Sequence, residues 1–223
     1  MNWEKTCNRY VAYIDLFGFK DIIQNDTHNE ILKKLEMLKK AAENLDNEWH
    51  ENHKKLLKIE PNQTKSVVFS DSIILFSKES AIEDFFKIIN DSYSIRKMAI
   101  KNNIAIRVAI SYGKVTCDFE KSLFLGQPIN DACLLLEDLF YLSIILDFNA
   151  EKKVNTYKNK KILKDSLQFR KADMEGGSVV HTIISSAKKE IIDEDISILK
   201  KFYNVSSAAQ KLFIDNTLDY YDG

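Results

Sequence analysis

Two aspartates, Asp15 and Asp71, stand alone inside apolar, strand-like segments at residues 11–19 and 66–76. A buried carboxylate without a partner is strongly disfavoured, so each needs a cation, a set of hydrogen-bond donors or a wet cleft. Two such carboxylates suit Mg²⁺ or Mn²⁺, which take one or two protein carboxylates and fill their remaining positions with water and substrate phosphates. The first hypothesis is therefore metal-assisted phosphoryl chemistry.

Both aspartates also have structural interpretations. Asp15 would cap a helix that follows its strand, because a carboxylate accepts hydrogen bonds from free N–H groups at a helix start. Asp71 would close a tight hairpin. The sequence alone leaves these alternatives open.

Composition limits the class of protein. The chain has 223 residues, 45% of them hydrophobic, and its 32 basic and 33 acidic side chains leave a net charge of −1. These values predict one globular domain with an appended tail and no general attraction to nucleic acid. No apolar run reaches about 18 residues and the start lacks a secretory segment, so we expect no membrane span and a cytoplasmic location. Cys7, Cys117 and Cys133 lack metal-site spacing and are interpreted as ordinary thiols.

The pattern of apolar residues predicts the elements that position the two aspartates. Strand-like runs and helical periodicities alternate in the order βαββαβ. This order predicts an α+β, ferredoxin-like fold, an antiparallel sheet with helices on one face. The predicted segments are a strand at 10–16, a helix at 28–55, a hairpin at 65–77, a helix at 80–102 and a strand at 104–115. The hairpin places Asp71 at its joint, where it would meet Asp15.

The second half of the chain predicts further elements: a helix at 126–140, a strand at 142–148, a hairpin around Gly176-Gly177, and polar helices at 186–202 and 206–220. We expect a catalytic domain over residues 1–185. Residues 186–223 would form a helical extension packed on that domain or on a dimer partner. A glycine-rich phosphate loop is absent, so a Walker or dinucleotide-binding fold is not supported.

Five motifs occur in the order found in class III nucleotide cyclase catalytic domains, and the chain resembles that family over residues 10–147. They are Asp15, Gly18-Phe19, Asp71, the run from Arg107 to Gly113, and Gly126-Gln-Pro-Ile-Asn130-Asp-Ala132. The resemblance implies a head-to-tail homodimer with composite active sites. It also implies two Mg²⁺ or Mn²⁺ ions per site, held by Asp15 and Asp71 with help from the backbone carbonyl of Ile14 or Leu16.

The resemblance assigns roles to the remaining motif residues. Backbone N–H groups of Phe17, Gly18 and Phe19, at a helix start, would hold phosphate oxygens. Arg107 would grip the triphosphate with its planar fork of donors, or else form an ion pair on its strand. Asn130 would orient the ribose in the partner's site, or else act as a helix N-cap.

Three positions depart from the purine cyclases of the family. Val67 and Leu123 stand where those enzymes recognise the base, and neither side chain hydrogen-bonds a purine edge. The motifs around Asp15, Asp71 and Arg107 are most similar to the bacterial pyrimidine cyclases of Pycsar anti-phage systems. These make cyclic CMP or cyclic UMP from CTP or UTP, and the product activates a separate effector. Leu134 replaces the arginine that stabilises the transition state.

Another cation would have to replace that arginine, with Arg96, Lys97, Lys114 and Arg170 as unranked candidates. Its absence favours an alternative, a non-catalytic cyclase-like module that binds nucleotide or only dimerises. A nucleotidyl transferase of the GGDEF type shares the core and the two-metal chemistry. It is disfavoured because its Gly-Gly-Asp/Glu-Glu-Phe hairpin is absent.

Overall fold

The fold was obtained as a computed structural model, which describes residues 3–19, 23, 26–43, 63–157, 163–165, 167–173 and 180–222. Its strands and helices follow in the order β1 (Thr6–Leu16), α1 (His28–Glu43), β2 (Thr64–Phe69), β3 (Ser72–Ser77), α2 (Ile82–Lys101), β4 (Ile106–Asp118), β5 (Leu123–Leu125), α3 (Gln127–Glu137), β6 (Ile144–Leu146), α4 (Phe148–Val154), β7 (Leu167–Asp173), β8 (Val180–Ser186), α5 (Lys189–Tyr203) and α6 (Ala208–Asp222). The predicted βαββαβ order is confirmed.

The strands form one sheet in the order β2-β3-β1-β4-β6-β8-β7, with β5 added beside β4. Neighbouring strands are antiparallel except β4 and β6, which run parallel. β1 lies at the centre, paired with β3 on one side and β4 on the other. The sheet is therefore mainly antiparallel, as the fold class predicts, with one parallel crossover.

Alternation along β1 separates the main core from the polar residues of the strand. Tyr10, Ala12, Ile14 and Leu16 belong to the main core, which also contains apolar side chains of α1, α2 and α4. Because successive side chains of a strand point to opposite faces, Asp15 lies on the face away from this core. We call that side of the sheet the second face.

Helix α3 covers part of the second face. Its Ala132, Leu135 and Leu136 pack with Ala109 of β4 and Ile145 of β6. The sequence predicted helices on one face, and α1, α2 and α4 pack there. The placement of α3 is an addition that brings this helix close to Asp15.

The two C-terminal helices are less polar than their sequence indicates. Both contribute to an apolar cluster that also contains Ile100 of α2; its C-terminal members are Ile198, Leu199, Phe202, Phe213 and Ile214. Asp195 of α5 forms a buried ion pair with Arg96 of α2. These helices pack on the rest of their own chain.

None of the helices in the described parts of the chain is long and apolar enough to cross a membrane.

Some predicted boundaries need correction. The strand predicted at 142–148 is only three residues long, because Asp147 accepts a hydrogen bond from the Ala150 N–H at 2.7 Å and starts α4 there. The helix predicted to run to residue 55 is described to Glu43, and its further apolar positions, Leu45 and Trp49, lie outside the described residues. The predicted turn at Gly176-Gly177 also lies outside them.

Candidate active site

Asp15 lies near the end of β1, and Asp71 lies in the turn beside that end. Asp15 is in register with Ser72 of β3, and the N–H of Leu16 donates to the Asp71 carbonyl at 2.9 Å. Asp71 occupies the turn between β2 and β3, which Ser70 makes with a φ of 54°. The hairpin joint predicted from the sequence therefore brings Asp71 next to the end of β1.

Asp15 has a cation as its immediate partner. Arg107 lies directly opposite it on β4, and its Nη2 donates to Asp15 Oδ2 at 2.7 Å while Nε donates to the same oxygen at 3.3 Å. Both side chains are mostly buried, with 14% of Arg107 and 22% of Asp15 exposed. The ion-pair interpretation of Arg107 is thus realised in this structure. The capping alternative for Asp15 concerns a segment that lies largely outside the described residues.

Arg107 is also held by two other elements. Its Nη1 donates to the Leu136 carbonyl at 2.7 Å and the Leu139 carbonyl at 3.2 Å, at the end of α3. Its guanidinium carbon lies 4.9 Å from the ring centroid of Phe17. An arginine with this many partners must exchange some of them before it grips a triphosphate.

The loop after Asp15 offers fewer free donors than the sequence indicates. Phe17 donates its N–H to the Ala105 carbonyl at 2.9 Å, so that group is already used. The N–H groups of Gly18 and Phe19 have no hydrogen bond among the described residues. Gly18 has a φ of 80°, a conformation that favours glycine over residues with a side chain. The loop can therefore present two N–H groups to an anion.

Asp15 and Asp71 both keep carboxylate oxygens without a partner among the described residues. Asp15 Oδ1 has no hydrogen bond, and Asp71 has no side-chain hydrogen bond or ion pair, within the part of the chain that is described. No three His, Cys, Asp or Glu side chains gather there to hold an ion by themselves. Mg²⁺ and Mn²⁺ need only one or two protein carboxylates when substrate phosphates complete their shell. Leu16, the last residue of β1, is better placed than Ile14 to add a carbonyl, since Ile14 is paired on both sides.

Tyr13 and Ser72 complete this part of the second face. Their hydroxyl groups lie 2.9 Å apart in a hydrogen bond. Burial raises the pKa of Tyr13, and the neighbouring Cys133 thiol and Asp15 carboxylate raise it further, while the bond to Ser72 lowers it. The phenol is thus neutral at physiological pH. Tyr13 was not predicted as a site residue, although its position two residues before Asp15 places it on the same face.

The other predicted site residues lie on β2, β5 and α3. Val67 of β2 packs in an apolar cluster with residues such as Ile74 and Phe124. Leu123 is 54% exposed on β5, and Asn130 is exposed on α3. Val67 is opposite Ile74, which is opposite Tyr13, so Val67 lies on the same face of the sheet as Asp15. The N-cap alternative for Asn130 is wrong, because Gly126 is the N-cap of α3.

The candidates for a replacement cation are mostly engaged. Arg96 is buried against Asp195, Lys97 binds Glu194 at 2.7 Å, and Arg170 donates to the Tyr220 carbonyl at 3.0 Å. Lys114 is exposed on β4, seven positions after Arg107 and hence on the opposite face of the strand. None of the four lies beside Asp15 in this chain.

Comparison with known proteins connects this geometry to a fold. No family model and no curated protein matches the sequence. Among solved structures, the catalytic core of a rhodopsin-guanylyl cyclase with converted specificity, in complex with ATPαS, is similar with a TM-score of 0.61 and 14% identity, covering 82% of this chain and 98% of that one.

Two further structures show the same likeness. The guanylyl cyclase Cya2 has a TM-score of 0.53 and 13% identity, with 84% of this chain and 94% of that chain covered. A bacterial light-regulated adenylyl cyclase has a TM-score of 0.51 and 11% identity, with coverage of 89% and 100%. At these identities the likeness establishes the fold, that of class III nucleotide cyclase catalytic domains.

Proposed function

We propose that this protein is a pyrimidine nucleotide cyclase, which converts CTP or UTP to 3′,5′-cyclic CMP or cyclic UMP and pyrophosphate. The observation that carries the proposal is the placement of Asp15 and Asp71 at the end of β1, beside Arg107 and the Gly18 loop, on a cyclase fold. By resemblance to Pycsar cyclases, the cyclic product would act as a second messenger in anti-phage defence by activating a separate effector.

In this proposal, different residues bind the metal ions, the phosphate oxygens and the triphosphate. Asp15, Asp71 and the Leu16 carbonyl would hold Mn²⁺ or Mg²⁺; when bound, two such ions lower the pKa of the substrate 3′-hydroxyl and neutralise the leaving pyrophosphate. The N–H groups of Gly18 and Phe19 would orient phosphate oxygens. Arg107 would transfer its donors from Asp15 to the triphosphate.

Asn130 would orient the ribose in the active site of a dimer partner. It lies exposed on α3, one turn before Leu134, which is 57% exposed. Residues four apart on a helix share a face, so both would contact the same partner surface. The homodimer itself is part of the proposal.

The proposed base preference comes from Val67 and Leu123. Neither side chain offers a hydrogen-bond donor or acceptor to a purine edge, and Val67 is already packed among apolar side chains. A site without such partners cannot select a purine strongly over other bases, because strong selection needs buried hydrogen bonds to the base. These two positions therefore count against a dedicated adenylate or guanylate cyclase.

A competition assay tests the proposed activity and its base preference together. The purified protein is incubated with equal concentrations of ATP, GTP, CTP and UTP and with Mn²⁺, and the products are identified by mass spectrometry. We expect cyclic CMP or cyclic UMP to dominate. Dominant cyclic AMP or cyclic GMP would contradict the pyrimidine preference while retaining the cyclase.

A non-catalytic cyclase-like module is the second candidate function. Two observations favour it. Leu134 replaces the transition-state arginine, and Arg107 forms an ion pair with Asp15, the proposed metal ligand, in this structure. Such a module would bind a nucleotide or only dimerise. The absence of any cyclised product, in protein shown to be folded and dimeric, would favour it over the enzyme.

Mixing two inactive variants tests the composite site. We expect Asp71→Asn and Asn130→Ala each to be inactive alone, because each removes one half of every site. After subunit exchange at equal concentrations, half the dimers contain both variants, and one of their two sites is intact. About one quarter of the wild-type activity should return. If each site lies within one chain, the mixture stays inactive.

A further inference from the structure

The C-terminal helix α6 reaches the candidate active site through Phe213. The ring of Phe213 lies 4.2 Å from the ring of Phe17, centroid to centroid, and 5.7 Å from the guanidinium carbon of Arg107. Phe213 is only 6% exposed. The C-terminal extension therefore contacts both the loop after Asp15 and the arginine that binds Asp15.

Hydrogen bonds fix α6 in this position. Asn216 Nδ2 donates to the Phe140 carbonyl at 3.1 Å, and Thr217 Oγ1 accepts from the Leu142 N–H at 2.9 Å. The Phe140 ring also lies 5.3 Å from that of Phe213. Since these partners lie in the segment that follows α3, α6 is tied to the same part of the chain that binds Arg107 through the carbonyls of Leu136 and Leu139.

The position of Arg107 has a direct consequence for Asp15. Two of its nitrogens donate to Asp15 Oδ2, and a third donates to the end of α3. A guanidinium beside a carboxylate opposes the approach of a second cation. The two aromatic rings favour this position through cation–π contact with the guanidinium.

We propose that Phe213 is a positioning residue that holds Arg107 on Asp15 and so weakens metal binding until a triphosphate draws Arg107 away. Phe213 acts through Phe17 and Arg107, which its ring contacts. The inference rests on the proposed role of Asp15 as a metal ligand.

Binding of Mn²⁺ alone, without nucleotide, tests the proposal by electron paramagnetic resonance of free and bound ion. Arg107→Met should bind Mn²⁺ about fivefold more tightly than the wild type, because the competing cation is removed. Phe213→Leu, which keeps apolar bulk but removes the ring, should bind about two- to threefold more tightly. The double variant should gain no more than Arg107→Met alone.

The controls separate positioning from simple packing. Leu212→Ala changes a neighbouring side chain of α6 that is 52% exposed, and it should leave Mn²⁺ affinity unchanged. If Phe213→Leu acts only through loss of packing, its Mn²⁺ affinity will equal or fall below that of the wild type. Any change in affinity that it causes will then appear in the double variant as well, added to the effect of Arg107→Met. Either result overturns the proposal.

Asp15→Asn distinguishes this failure from failure of the proposed function. If Asp15→Asn leaves Mn²⁺ binding of Arg107→Met intact, Asp15 is not a metal ligand and the proposed function loses its basis. If Asp15→Asn abolishes binding but Phe213→Leu behaves like the wild type, only the positioning role of Phe213 is wrong. Absence of Mn²⁺ binding in Arg107→Met and Phe213→Leu alike also overturns the positioning role.

Discussion

Replacement of Asp71 by asparagine is expected to lower the rate of cyclic nucleotide formation by about 10²–10³-fold. The physical reason is the loss of one of two carboxylates that would hold divalent ions, since a neutral amide binds them less strongly. The free energy of unfolding should change by less than about 0.5 kcal/mol, because the Asp71 side chain has no hydrogen bond or ion pair among the described residues. Initial rates with CTP or UTP and urea denaturation measure the two quantities.

Asp193→Asn is the matched control for Asp71→Asn. Asp193 is exposed on α5, away from β1, and the substitution makes the same chemical change. It should leave both rate and stability unchanged. Equal activity of Asp71→Asn and Asp193→Asn would contradict the role of Asp71.

The largest expected effect on stability is that of Asp195→Asn, which should lower the free energy of unfolding by about 3–5 kcal/mol. Asp195 and Arg96 are each 1% exposed, and Arg96 Nη1 donates to both Asp195 oxygens at 2.6 and 2.9 Å. Removing the charge of Asp195 leaves the guanidinium buried without a counterion. Urea denaturation, followed by circular dichroism, measures the change.

The adjacent residue provides the control for this ion pair. Glu194 joins the same two helices through Lys97, but their side chains are 44% and 29% exposed. Because water screens exposed pairs, Glu194→Gln should cost less than about 1 kcal/mol. The double variant Arg96→Met with Asp195→Leu should recover most of the loss of Asp195→Asn, since buried pairs are often replaceable by apolar residues. Similar costs for Asp195→Asn and Glu194→Gln would show that burial does not set the strength of this pair.

The central part of the fold could be predicted because its sequence signals are local. Alternating apolar residues mark β1 and the β2–β3 hairpin, and helical periodicity marks α2. The hairpin joint also places Asp71 beside Asp15, since antiparallel neighbours of β1 bring a turn to its end. The contact between the two predicted carboxylate segments thus followed from strand periodicity and turn position.

Short elements and long-range pairs could not be predicted in the same way. β5 has three residues and α4 has seven, which is too few for a periodic signal. The sequence allowed an ion pair for Arg107 but gave no partner, because the pattern within one strand does not show which distant strand pairs with it.

The C-terminal helices show the same limit. They were predicted to be polar helices. No local sequence pattern shows that Asp195 pairs with Arg96 or that Phe213 contacts Phe17. Both contacts depend on how distant segments pack. The parts of the candidate site that the sequence missed are therefore those supplied by tertiary contacts.

The most direct test of the proposed cyclase activity is the stoichiometry of the reaction itself. Cyclic nucleotide and pyrophosphate are measured together after incubation of the wild-type protein with CTP or UTP, with Mn²⁺ and with chelator, and Asp71→Asn is measured in parallel. We expect equal amounts of the two products, formed only with Mn²⁺ and lost in Asp71→Asn. Failure to form either product, or conversion of CTP or UTP to linear nucleotides alone, would contradict the proposed activity.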